Sequence, residues 1–169
     1  TNNNVIGLAH DSTPVYSVAS QLKQQGWGVG IMTTVTIDHA TPSAHYAHVS
    51  SREDYYTIGT QLVESNFDFF GGAGFSRPID QNDTTAPNLY DLAKEKGYTL
   101  AAGYADATKQ LGSGKMILLP SNYRDKYTSY AGALPYAIDR TSADLTLSQI
   151  VEVAIAQLSS YDRFFVMAE

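Results

Sequence analysis

Val29, Ile31, Thr33, Val35 and Ile37 fall at every second position. A run on a period of two that is dominated by β-branched side chains predicts a strand over 29–37. Thr41 stands directly before Pro42, which predicts an N-cap followed by the first residue of a helix. Such a helix begins at the carboxyl end of the strand, the edge at which open α/β sheets bind anionic ligands. Arg52 follows at the expected start of a second helix. The segment 29–52 therefore predicts a buried strand, a capped turn and a helix, with a guanidinium nearby.

The flanking sequence repeats that alternation. Thr13-Pro14 predicts the opening of a helix with Val15, Val18, Ala19 and Leu22 as its apolar stripe, stopped at Gly26. Ser50 with Glu53 predicts a capping box for a helix whose stripe is Tyr55, Ile58 and Leu62. Strands are expected at 67–70, 98–102, 115–119 and 163–168, and helices at 89–96, 106–111 and 146–159. Loop-rich insertions are expected near 76–88 and 120–133. The order β-α-β predicts an α/β fold: a three-layer α/β/α arrangement around a mostly parallel, doubly wound sheet.

Composition narrows the function. The 169 residues, 43% hydrophobic and 17% charged, suffice for one globular domain with a sizeable core. A net charge of -6 argues against nonspecific nucleic-acid binding. No apolar run approaches membrane-spanning length, and no signal-peptide pattern is seen. The absence of cysteine removes disulfides, thiol catalysis and Cys-ligated zinc. The chain lacks an initiator Met and stops at Ala168-Glu169 inside an expected strand, so it reads as an internal piece of a longer protein.

Several residues carry possible chemistry. Arg52 presents a rigid fork able to hold two phosphate oxygens; a salt-bridged or solvated arginine is the plainer alternative. Thr41 is explained as an N-cap without any metal. Alternation places Asp38 on the opposite face from His39. His45 and His48 lie three residues apart, and with His39 they raise a zinc site, although helix-surface or core histidines explain the spacing better. His10 stands alone. Gly71-Gly72-Ala73-Gly74 follows a strand, but Arg77 occupies the position of the third fingerprint glycine, so a tight turn is expected rather than a nucleotide site.

His39-Ala40-Thr41-Pro42, Tyr46-Ala47-His48 and Arg52 together resemble the magnesium and phosphate segment of the alkaline phosphatases. Similar runs follow in that family's order: Thr1-Asn2-Asn3-Asn4-Val5-Ile6-Gly7, Gln61-Leu62-Val63-Glu64-Ser65, Leu134 to Arg140, and Phe164 to Glu169. The likeness weakens between about residues 74 and 130. It implies a single domain of the alkaline phosphatase-like fold. Arg52 becomes the catalytic phosphate-binding residue, Thr41 and Glu169 become magnesium ligands, and His39 reaches the metal through water. Imidazole suits zinc better than magnesium, so the metal at the His39 site stays open.

The resemblance further implies hydrolysis of phosphate monoesters by a serine nucleophile with two Zn2+ and one Mg2+ in the parent protein. The nucleophilic serine belongs upstream of the Thr1 run and the zinc ligands beyond Glu169. Ser12 follows Asp11 but runs into Thr13-Pro14, so the nucleophile is not placed there, and the chain by itself is expected to be inert. A periplasmic or secreted location and a homodimer are the family expectations. A related phosphate or sulfate ester hydrolase, or a non-catalytic α/β binding module, remain as alternatives.

Overall fold

The computed structural model describes residues 4–123 and 132–169. Five strands form one sheet: β1 (Gly28–Met32), β2 (Phe69–Gly71), β3 (Tyr98–Ala102), β4 (Lys115–Leu119) and β5 (Phe164–Ala168). Their order is β3-β4-β2-β1-β5, and every pairing is parallel. Parallel neighbours need crossover segments, and helices supply them. These are α1 (Val18–Gln24), α2 (Ala40–Ser43), α3 (Tyr55–Glu64), α4 (Leu89–Glu95), α5 (Tyr104–Lys109) and α6 (Leu147–Leu158).

Side chains that alternate along the strands divide the core in two. Val29, Ile31, Phe70, Ile117 and Leu119 pack with α1, α3 and α4 through Ala19, Ile58, Leu62, Leu89 and Ala93. Met32, Phe69, Met116 and Leu118 pack with α5 and α6 through Ala107, Ile150, Val153 and Leu158. Helices therefore cover both faces, giving the expected three-layer α/β/α fold. Strand β1 is buried at every position, as a central parallel strand should be. Gly71 sits where α6 comes closest, since a Cβ there would lie 2.3 Å from Ile150 Cγ2. Helix α6 opens on a reciprocal capping box between Thr146 and Gln149.

Several local expectations need correction. Helix α1 starts at Val18 with Ser17 as its N-cap, not at Thr13-Pro14. Pro14 instead bridges Leu8, and the Val15 amide donates to Gly7 O, so pairing with the N-terminal segment overrides the local helix signal. Val15 and Val18 are exposed rather than core. The expected strand over 29–37 ends at Met32. Beyond it the backbone leaves the sheet and bonds to the segments at 71–74 and 132–134. Thr33, Thr36 and Ile37 stay buried there, which explains the strand-like pattern.

Helix α2 has four residues with His39, in extended backbone, as its cap, so Thr41 lies inside the helix. A helix this short develops little macrodipole, and the expected anion site at its N-terminus loses that support. Helix α3 is capped at Asp54 without a Ser50–Glu53 box, and Arg52 stands in the preceding turn. The helix expected at 106–111 spans Tyr104–Lys109, entered through Gly103 at φ 86. Residues 1–3 of the Thr1 run and residues 124–131 of the expected loop at 120–133 lie outside the described residues.

Candidate phosphate and metal site

The carboxyl edge of the sheet carries most of the candidate residues. Glu169 directly follows β5, where its amide donates to Met32 O and its carbonyl accepts from the Thr34 amide, both at 3.0 Å. Its Oε2 accepts a hydrogen bond from Thr33 Oγ1 at 3.2 Å. Thr33 is fully buried and also accepts from the Val35 amide, so its hydroxyl is fixed before it meets the carboxylate. Thr33 was not legible as a site residue. Its partner lies 136 positions away.

From β1 the chain passes into a turn at 36–39 held at several points. Ile37 donates to Gly74 O and His39 donates to Thr36 O, while Tyr46 OH donates to Ile37 O at 2.5 Å. Asp38 is fully buried and accepts the Ser76 amide at 2.8 and 3.1 Å through its two oxygens. Burial pushes its carboxyl up to about 6, against hydrogen bonds from Thr36 and Ser76 that favour the ionised form. The side chain thus faces Ser76, which strand alternation could not anticipate, because the strand has already ended.

His39 and Arg52 meet at the edge of this turn. The Arg52 guanidinium lies 3.3 Å from His39 Nε2. A guanidinium has no acceptor, so Nε2 is the acceptor and a neutral ring carries its proton on Nδ1. His39 Nδ1 is buried and has no hydrogen-bond partner among the described residues. A buried, unsatisfied donor of this kind calls for an oxygen acceptor. Arg52 is further held by its amide to Asn4 O, and Glu53 approaches its guanidinium at 3.9 Å.

Thr41 is exposed on α2, and its carbonyl lies 3.2 Å from His45 Nδ1. Its hydroxyl is free of the capping role expected for it. The structure joins His39 to Arg52 and Glu169 to Thr33, while no hydrogen bond links Thr41 to Glu169 among the described residues. His48 is occupied elsewhere, at 2.8 Å from Gly7 O and against the Tyr16 ring. His45 packs near Phe165. His10 and Ser12 are exposed in turns. Among the described residues no group of three or more His, Asp or Glu gathers as a metal cluster. His39, His45 and His48 accordingly do not gather into a three-residue cluster among the described residues.

Comparison with known proteins decides the family, because the alkaline phosphatase family model matches residues 1–169. The chain belongs to the alkaline phosphatase family. Alkaline phosphatase 4 of Bacillus subtilis is 30% identical over 176 residues, covering 100% of this chain and 35% of that protein. The tissue-nonspecific alkaline phosphatase of Gallus gallus is 29% identical over 188 residues, covering 92% and 36%. The alkaline phosphatase of the Antarctic bacterium TAB5 superposes with a TM-score of 0.81 at 28% identity, covering 100% of this chain and 46% of its own. A histidine-to-glutamate variant of that enzyme was solved with magnesium bound in its M3 site. The alkaline phosphatase of Thermus thermophilus shares the fold, with a TM-score of 0.77 at 23% identity. The chain thus spans less than half the length of these relatives.

Proposed function

We propose that these residues form the phosphate clamp and part of the magnesium site of a metal-dependent phosphomonoester hydrolase. The contact between Arg52 and His39 at the carboxyl edge carries this reading. Arg52 binds two nonbridging phosphate oxygens through its fork. His39 orients the guanidinium through Nε2, and its Nδ1–H donates to a water oxygen. With the proton on Nδ1, His39 addresses a metal through water rather than directly, as the family resemblance implies.

Thr41 and Glu169 present oxygen donors, the set that magnesium prefers alongside retained waters. Thr33 orients the Glu169 carboxylate from behind. When bound, magnesium would fix local waters, and two zinc ions elsewhere in the whole protein would polarise the attacking and leaving oxygens. The serine nucleophile and zinc ligands are assigned to none of the 169 residues, so these residues alone should not turn over substrate. A periplasmic or secreted location and a homodimer accompany the reading. No helix among the described residues is long and apolar enough to cross a membrane.

The test is hydrolysis of a chromogenic phosphate monoester by the intact protein with zinc and magnesium, beside a chelated control. Arg52→Ala should lower kcat/KM by roughly 100-fold, as expected for losing a charge-assisted clamp in the transition state. Full activity in that variant would refute the assignment of Arg52, and selective turnover of a sulfate ester would replace the substrate class.

A further inference from the structure

We propose that Asp38 is a positioning residue for the phosphate clamp, acting through His39 on Arg52. This rests on the reading of Arg52 as the phosphate ligand and adds a residue behind it. The carboxylate is completely buried, and no lysine, arginine or histidine pairs with it among the described residues. A buried carboxylate without a counter-ion is costly, and an apolar residue of similar volume would serve packing better. What the carboxylate provides is acceptor capacity. Both oxygens take the Ser76 amide, the Thr36 and Ser76 hydroxyls are hydrogen-bonded to each other at 2.8 Å beside it, and hydrogen bonding from these two side chains favours the ionised carboxyl.

Those bonds lash the turn at 36–39 to the segment leaving β2. Backbone pairing between the two segments reaches Ile37 N and Gly74 O and goes no further in this direction. Asp38 extends the connection by one more contact, immediately before His39. The guanidinium of Arg52 has His39 Nε2 as its hydrogen-bond partner. Among the described residues its ion-pair partner is the solvent-exposed Glu53 at 3.9 Å, a pairing of little strength. A displacement of residues 37–39 therefore reaches the guanidinium through its contact with His39, and small misplacements of a clamp are expensive.

The experiment measures inhibition by inorganic phosphate, together with kcat and KM, in the intact protein. The variants are Asp38→Ala, Asp38→Asn, Arg52→Ala and the double variant Asp38→Ala/Arg52→Ala, each with its unfolding midpoint. Asp38→Ala should weaken phosphate inhibition by about tenfold, as a coupled positioning contact does. Asp38→Asn, which keeps one acceptor for the Ser76 amide, should recover part of that loss. In the Arg52→Ala background the Asp38 substitution should have almost no further effect on phosphate. An undiminished effect in that background would overturn the proposal, as would a phosphate constant unchanged in both Asp38 variants. Should Asp38→Ala fail to fold, the Asp38→Asn/Arg52→Ala pair supplies the same cycle. If Arg52→Ala itself leaves phosphate inhibition intact, the clamp reading fails together with this one, and that outcome is distinguishable because it does not involve Asp38.

Discussion

Replacing Asp68 by alanine should destabilise the protein through the opposite edge of the sheet. Asp68 lies just before β2, 5% exposed, and its carboxylate gathers three donors. These are Lys23 Nζ at 2.7 Å, Tyr161 OH at 2.6 Å and the Val29 amide at 2.8 Å. One side chain thereby ties α1, β1 and the turn before β5 together. In the variant the buried Val29 amide loses its acceptor, which costs about 1–3 kcal/mol. Lys23 is 21% exposed and turns toward water, so its share is below about 1 kcal/mol. Tyr161 is half-buried and adds about 0.5–1 kcal/mol. The sum is about 1.5–5 kcal/mol, read from urea unfolding as a lower midpoint with an unchanged slope. A loss below about 1 kcal/mol would show that the amide finds another partner and refute the reasoning. A double-mutant cycle with Lys23→Ala isolates the ion pair, and a coupling near zero would show Lys23 to be solvated already.

Tyr161 gives a pH signature to the same cluster. Its hydrogen bond to Asp68, followed by burial, pushes its pKa up to about 12 from the ordinary value of 10.0. A raised pKa means stability that is fully present below 10 and lost as pH rises through about 12. Tyr161→Phe should therefore flatten that part of the alkaline unfolding profile, and an unchanged slope between those pH values would contradict the assignment. At the other edge, the proposed role of Glu169 as a charged oxygen ligand means that Glu169→Gln should weaken magnesium binding by at least about tenfold. Magnesium-dependent stabilisation of the intact protein against heat measures this, and equal stabilisation in both proteins would remove Glu169 from the site.

Elements with self-contained signals were the most legible. Strands β3 and β4 occupy 98–102 and 115–119 as the apolar runs predict, and Gly97 at φ +85 and Gly114 at φ +95 mark their starts. The motif 39–52 was legible as a unit, although its local geometry was not. Thr13-Pro14 and Thr41-Pro42 carry the same helix-start signal. In the first case pairing of Pro14 with Leu8 prevails, and in the second His39 takes the cap. The period of two at 33–37 persists because each residue is packed between segments from elsewhere in the chain, not because a strand continues. The supports of the site were the least legible. Thr33 finds Glu169 136 positions away, and Asp38 finds Ser76 38 positions away, distances at which no local pattern reports a contact.

The parallel sheet also separates what stabilises this chain from what equips it chemically. Parallel strands carry all their carboxyl ends to one edge, so Glu169, Thr33 and the turn bearing His39 emerge together there. The Asp68 cluster is confined to the amino edge, where it takes the Val29 amide at the start of β1. Between them runs β1, five residues from Gly28 to Met32, or about 16 Å of strand. Asp68 is also paired with Lys23 at 2.7 Å, so its cluster presents little net charge over that distance, and the two clusters have little direct influence on one another. Asp68→Ala should accordingly lower the unfolding midpoint while leaving inhibition by inorganic phosphate within about twofold, as distant sites behave additively. Arg52→Ala should do the reverse. A variant at Asp68 that weakened phosphate binding tenfold below its unfolding transition would show that the sheet transmits strain along β1, and the division between its two edges would have to be abandoned.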